Sequence, residues 1–110
     1  MAIRNVLLTS TNVLPVFAAA ASEEQAVTTM FFCNNSNNTA TDALINIYLV
    51  PQGSGGPGTG TIVINSLSLP HQETFVFDAE KLILYNTDAI WAQSNVANVV
   101  VATVSSVKTS

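Results

Sequence analysis

Residues 78–107, DAEKLILYNTDAIWAQSNVANVVVATVSSV, decide the fold. Leu82 and Leu84 point one way and Lys81, Ile83 and Tyr85 the other, a period of two. Ile90 and Ala92 repeat the alternation with Trp91 and Gln93 opposite, after a polar break at Asn86-Thr87-Asp88. Residues 99–107 are β-branched at most positions, with no helix former beyond Ala102. This is strand, not helix, and the rest of the chain supplies strands to cover it.

Before that stretch, residues 73–77 form a strand with Phe75 and Phe77 inward, after a turn at Pro70-His71-Gln72. Residues 61–69 and 43–50 are strands, the latter with Ile45, Ile47 and Leu49 as its apolar face. Between them PQGSGGPGTG (51–60) holds all five glycines and reads as a flexible hairpin tip. Residues 25–33 form a strand with Val27, Thr29, Phe31 and Cys33 on one side and Met30 and Phe32 on the other. Large residues on both sides imply burial on both faces, or burial on one and a partner on the other. The Asn-rich run 34–39 is a loop. Residues 18–24 offer a single helical turn, capped by Ser22 and favoured by Glu23 and Glu24. Residues 13–17 are extended, and Pro15 marks an edge strand or a bend. Residues 2–8 are the first strand. The pattern predicts a single all-β domain over 1–110: an antiparallel β-sandwich, immunoglobulin-like or jelly-roll-like, of about eight short strands, with an N-terminal extended arm over about 1–17.

Composition bounds function. The chain has 110 residues, 48% of them hydrophobic and only 9% charged, with mean hydropathy +0.39. About a quarter of an average globular chain is charged. Charge keeps proteins apart, so this surface is expected to pack against neighbours. Arg4, Lys81 and Lys108 are the only cations in a chain of net charge −4. Three scattered cations neither neutralise nucleic-acid phosphates nor hold an anionic membrane. No apolar run approaches the ~18 residues of a spanning helix. Residues 1–22 loosely mimic a secretory signal, but Thr9-Ser10-Thr11-Asn12 interrupts the apolar region and the segment reads as structure.

No residue set announces a reaction. Gly53-Ser54-Gly55-Gly56-Pro57-Gly58 satisfies G-x-G-x-x-G, but a strand follows instead of the helix that the phosphate site needs, and Pro57 removes an amide. Cys33, the only thiol, reads as a buried strand residue in a chain folding in a reducing cytoplasm; His71, the only histidine, sits in a turn. Asp78, Glu80 and Asp88 could hold a hard cation or serve as paired hydrolytic carboxylates, yet no D-x-D-x-D-G loop is present, and turn capping is the favoured reading. The chain is therefore expected to be non-enzymatic, without cofactor or metal. Trp91, with Tyr48 and Tyr85, could form a stacking platform for carbohydrate; Trp91 alone could be an intersubunit anchor. Expected contact residues are Ile3, Val6, Leu8, Val13 and Phe17 of the arm, with Trp91 and the Asn-rich loop.

The run Glu80-Lys81-Leu82-Ile83-Leu84, then Asp88-Ala89-Ile90-Trp91-Ala92, then the Val-rich segment 99–107 resembles small virion proteins of tailed bacteriophages. That pattern is a K-L-x-L strand, a G-D turn, an I/L-x-A strand and a closing Val-rich strand ending V-S; Thr87 stands where it has Gly. Met1-Ala2-Ile3-Arg4-Asn5-Val6 and Thr28-Thr29-Met30-Phe31-Phe32-Cys33-Asn34-Asn35 are similar to phage proteins of cyanobacterial and marine viruses. The resemblance implies a β-sandwich structural subunit of the virion, assembled in the host cytoplasm. Such a subunit would be a capsid decoration (cement) protein, or else a neck, tail or baseplate accessory; a host-carbohydrate-binding module is the other alternative. Its implied partners are the major capsid protein or tail and neck proteins, and copies of itself. The resemblance carries over no active-site residues.

Overall fold

The computed structural model describes residues 2–36, 42–53, 56–77 and 82–109. Among them there is no helix, and nine strands form two antiparallel sheets packed as a sandwich. The strands are β1 (Ala2–Leu7), β2 (Leu14–Ala18), β3 (Glu24–Asn34), β4 (Ala43–Val50), β5 (Ile62–Leu69), β6 (Thr74–Phe77), β7 (Leu82–Tyr85), β8 (Ala89–Ser94) and β9 (Val100–Lys108). Sheet A has the order β1-β9-β3, and β6 and β7 both pair with the far side of β3. Sheet B has the order β2-β8-β4-β5.

Alternation puts one phase of each strand into the space between the sheets. Val100, Ala102 and Val104 of β9 face inward with Met30 and Phe32 of β3, against Ile45 and Ile47 of β4 and Ile90 and Ala92 of β8. Each large aliphatic or aromatic side chain buried here contributes roughly 1.5–3 kcal/mol relative to water. Phe75 and Phe77, on the inward phase of β6, pack edge to face with ring centroids 6.5 Å apart.

Besides register shifts between β4 and β5 at Ile45/Ile47 and Ile47/Tyr48, three local features depart from strict alternation. In β3 the register against β9 jumps between Val27 and Thr29, a bulge closed by the Thr28 hydroxyl donating to the Ser105 carbonyl at 3.1 Å. The bulge flips the phase, so Val27 joins Met30 and Phe32 inside and does not share a face with Thr29, Phe31 and Cys33. A second bulge lies in β2 between Pro15 and Phe17, and β2 is an edge strand, the position that a missing N–H tolerates. Third, residues 18–24 make no helical turn. Glu23 N donates to Ala20 O at 3.1 Å, Ala20 N donates to Glu23 Oε1 at 3.0 Å, and Ser22 takes a left-handed φ of 60°. That closes a tight turn leading straight into β3.

The stretch expected as an arm, about 1–17, is laid down as strands. β1 is one edge of sheet A and β2 one edge of sheet B. Leu8 continues β1: its N–H donates to Val100 O and its carbonyl accepts from Asn98 N, both at 2.9 Å.

A buried side chain ties the two sheets together. Asn34, at the end of β3, is fully buried; its Nδ2 donates to Leu69 O on β5 at 2.9 Å, and its Oδ1 accepts from Ser36 N at 3.0 Å.

Candidate functional site: the outer face of sheet A

Residues directly opposite in an antiparallel pair point to the same face. On the outside of sheet A this gives continuous rows. Leu7 lies opposite Val101, which lies opposite Cys33, then Thr74. Asn5, Thr103, Phe31 and Val76 form the next row, then Ile3, Ser105 and Thr29. Beyond the β3 bulge, Val107, Ala26 and Ile83 line up, and Glu24 faces Tyr85.

The outer face of an antiparallel sheet in water is ordinarily polar. This one is not. Among the described residues, nine large apolar side chains are exposed, and seven lie here: Ile3, Leu7, Phe31, Val76, Ile83, Tyr85 and Val107, between 37% and 69% exposed. The other two, Leu44 and Val63, are on β4 and β5. Between the seven stand mainly Thr, Ser, Ala and Cys, and the polar pair Thr103–Asn5 is internally satisfied, hydroxyl to Asn5 Oδ1 at 2.7 Å. Among the described residues Glu24 is the single charged side chain of these rows, at one corner. Arg4 lies opposite Val104 and so belongs to the other phase of β1.

Sheet B presents a different exterior. Pro15, Trp91, Tyr48 and Ile62 form one row across β2, β8, β4 and β5. Beside it runs a chain of amides: Gln93 Nε2 donates to Thr11 O at 3.0 Å, Asn46 Nδ2 to Gln93 Oε1 at 3.1 Å, and Ser66 N to Asn46 Oδ1 at 2.7 Å. The Tyr48 hydroxyl also donates to Gln93 Oε1 at 3.3 Å. These groups spend their hydrogen bonds on one another, stitching three strands to the loop before β2.

The expected contact residues are therefore scattered. Ile3 stands in the apolar face of sheet A. Leu8 is fully buried, and Val6 and Phe17 pack against the core, so these side chains serve the chain's own interior. Val13 is half-buried beside β2, and Trp91 is half-buried on the outside of sheet B. Of the Asn-rich loop, residues 37–39 lie outside the described residues. The three rings proposed as a carbohydrate platform do not converge: Tyr48 and Trp91 are neighbours on sheet B, Tyr48 only 8% exposed, and Tyr85 projects from sheet A.

Asp88 sits in the turn between β7 and β8, where its two carboxylate oxygens accept from Gln52 N at 2.9 Å and Tyr85 N at 3.1 Å. It is a turn clamp, while Asp78 and Glu80 lie outside the described residues. A cavity of about 130 Å³ beside this turn is lined by Leu49, Val50, Pro51, Leu82, Ile83, Leu84, Asp88 and Ala89. Among the described residues it brings no second titratable group to Asp88. Cys33 lies on the outer face of sheet A, whereas His71 is in the turn before β6. The glycine-rich segment runs into β5, and Gly53 and Gly56 take φ of 80° and 105°. No group of three or more His, Cys, Asp or Glu among the described residues could hold a metal ion.

The architecture stands on its own geometry. No family model, curated protein or solved structure matches this chain. What can be said about function follows from the two exteriors.

Sequence reasoning passed over Val76 and Ile83 as contact residues; it placed Tyr85 on a carbohydrate platform and read Phe31 only as one side of a strand with large residues on both faces. A signal for them was present. In β7 the phase Ile83/Tyr85 is as apolar as Leu82/Leu84, and Val76 lies between two inward phenylalanines. A half-buried strand should instead alternate apolar with polar.

Proposed function

We propose that this chain is a non-enzymatic structural subunit of a tailed-phage virion, acting by burying the outer face of sheet A in an assembly. One observation carries the reading: seven exposed large apolar residues share one sheet face on which the described residues place a single charge. Contiguous apolar patches of several hundred Å² on soluble domains mark interaction surfaces. The low overall charge, 9% of residues, supports the same reading. The partners are capsid, tail or neck proteins together with copies of the chain, and a capsid decoration role suits a small sandwich whose described residues assemble no catalytic set. The experiment is reconstitution. Phage particles made without this chain are incubated with purified wild-type protein and with the double variant Val76→Lys/Ile83→Lys, then separated on a density gradient. The wild type co-migrates with particles and the variant stays at the top. Wild type that remains at the top would overturn the proposal.

A further inference from the structure

We infer that the neighbour covering the outer face of sheet A is a second copy of this chain, stacked face to face about a twofold axis. This rests on the reading of that face as the association surface, and adds its occupant.

Area is the first argument. Nine residues of β9 at ~3.4 Å each give a length of ~30 Å, and four strand rows ~4.8 Å apart give a width of ~19 Å. The footprint is thus about 600 Å² per copy, or about 1,200 Å² for two, which reaches the lower end of stable specific interfaces. Side-chain corrugation raises the accessible area above the footprint.

Charge is the second. A foreign partner recognised through charge would need charges to read, and among the described residues these rows hold only Glu24 beside neutral Asn5, Thr29, Thr74, Thr103 and Ser105. A copy brings the same face, equally poor in charge among the described residues. The other described acids, Glu23, Asp42, Glu73 and Asp88, all lie in turns or loops outside the strands, so stacking the faces sets no row of like charges opposite another. Shape is the third. Two sheets of identical twist pack aligned at about 30° with side chains interdigitating. A twofold arrangement needs only that one patch be self-complementary, and aromatic Phe31 and Tyr85 against aliphatic Val76 and Ile83 meet that need.

The test is sedimentation equilibrium of the purified full chain, with an isotope-filtered NOE experiment on mixed labelled and unlabelled protein. The wild type is expected to be a dimer at micromolar concentration, with intermolecular NOEs to the Ile83 and Val76 methyl groups. Val76→Lys/Ile83→Lys should weaken the dimer by ~100-fold or more, because two ammonium groups per copy would be buried unpaired. Both positions are exposed, and a wild-type thermal transition would show that the variant folds. The NOE measurement needs no variant at all. A strictly monomeric wild type overturns the inference. A dimer indifferent to the double variant and lacking these NOEs, such as one paired along the β1 edge, also overturns it. A monomeric wild type that still binds particles through this face removes the second copy but leaves the proposed function standing. Loss of particle binding with a normal dimer does the reverse.

Discussion

Replacing Asn34 tests how the two sheets are held in register. The side chain is fully buried at the end of β3, and its amide donates to the Leu69 carbonyl of the opposite sheet while its oxygen accepts from Ser36 N. Asn34→Ala deletes both bonds. A net hydrogen bond is worth about 1 kcal/mol, and a buried carbonyl left without a donor adds about 1–3 kcal/mol. Ser36 is only half-buried, so its N–H recovers part of its loss from water. The expected cost is roughly 2–4 kcal/mol by urea denaturation, or a fall in Tm of roughly 10–20 °C. Asn34→Asp sharpens the test. It keeps the oxygen facing Ser36 N but sets a carboxylate against the Leu69 carbonyl. Burial and that carbonyl raise the folded pKa above the unfolded value of about 3.9. A group raised in this way is tolerated below its unfolded pKa and becomes destabilising as pH climbs. Asn34→Asp should therefore be less stable than Asn34→Ala at pH 7 and recover towards pH 4, where the protonated acid can donate to Leu69 O. A cost below about 0.5 kcal/mol for Asn34→Ala, or an Asp variant insensitive to pH, would refute the clamp.

Three further outcomes follow from local geometry. Thr87 holds φ of 69° next to Asn86 at 47° in the turn between the sheets, and a β-branched residue there carries about 1–2 kcal/mol of strain, so Thr87→Gly should raise stability by about 0.5–1 kcal/mol after its entropic cost; unchanged or lower Tm would contradict this. The Ser106 hydroxyl is buried without a hydrogen-bond partner, and Ser106→Ala should gain about 1 kcal/mol in chemical denaturation, whereas a loss of that size would show that the hydroxyl is used. The Glu23 carboxyl is held below its usual pKa of 4.5, first by the Ala20 N–H, then by the Gln25 side chain and Lys108, whose Nζ is 3.5 Å away. A depressed pKa lends stability above the unfolded value and loses it as pH falls through the folded one, so Glu23→Gln should flatten the stability profile below about pH 4.5, and parallel wild-type and variant profiles would exclude the contribution.

The fold was legible because alternation survives in the parts that matter. Leu82/Leu84, Ile90/Ala92 and the segment 99–107 place their apolar phases inward, and Pro15 marks an edge strand. Local patterning could not reveal where the phase slips. The Thr28 bulge is set by pairing with Ser105, 77 positions away, and moves Val27 to the opposite face. Nor could it distinguish a turn from a helical turn at 18–24, because Ser22 and two glutamates suit either; the Asn86 side chain settles the matter by accepting from Ser22 N at 3.0 Å. The candidate site was half visible. Apolarity in both phases of β3 signalled an outside partner, but the residues that complete the patch come from β1, β6, β7 and β9, and only long-range pairing sets them side by side. Leu8 and Phe17 looked available to a partner because their covering strands are distant in sequence.

Cys33 offers the most direct measurement, since the only thiol of the chain lies half-buried on the outer face of sheet A, in the row beside Phe31 and Val76. Its alkylation rate should fall steeply as protein concentration rises into the micromolar range, and return to the dilute rate in Val76→Lys/Ile83→Lys. An alkylation rate independent of concentration and of both substitutions would mean that this face stays in water.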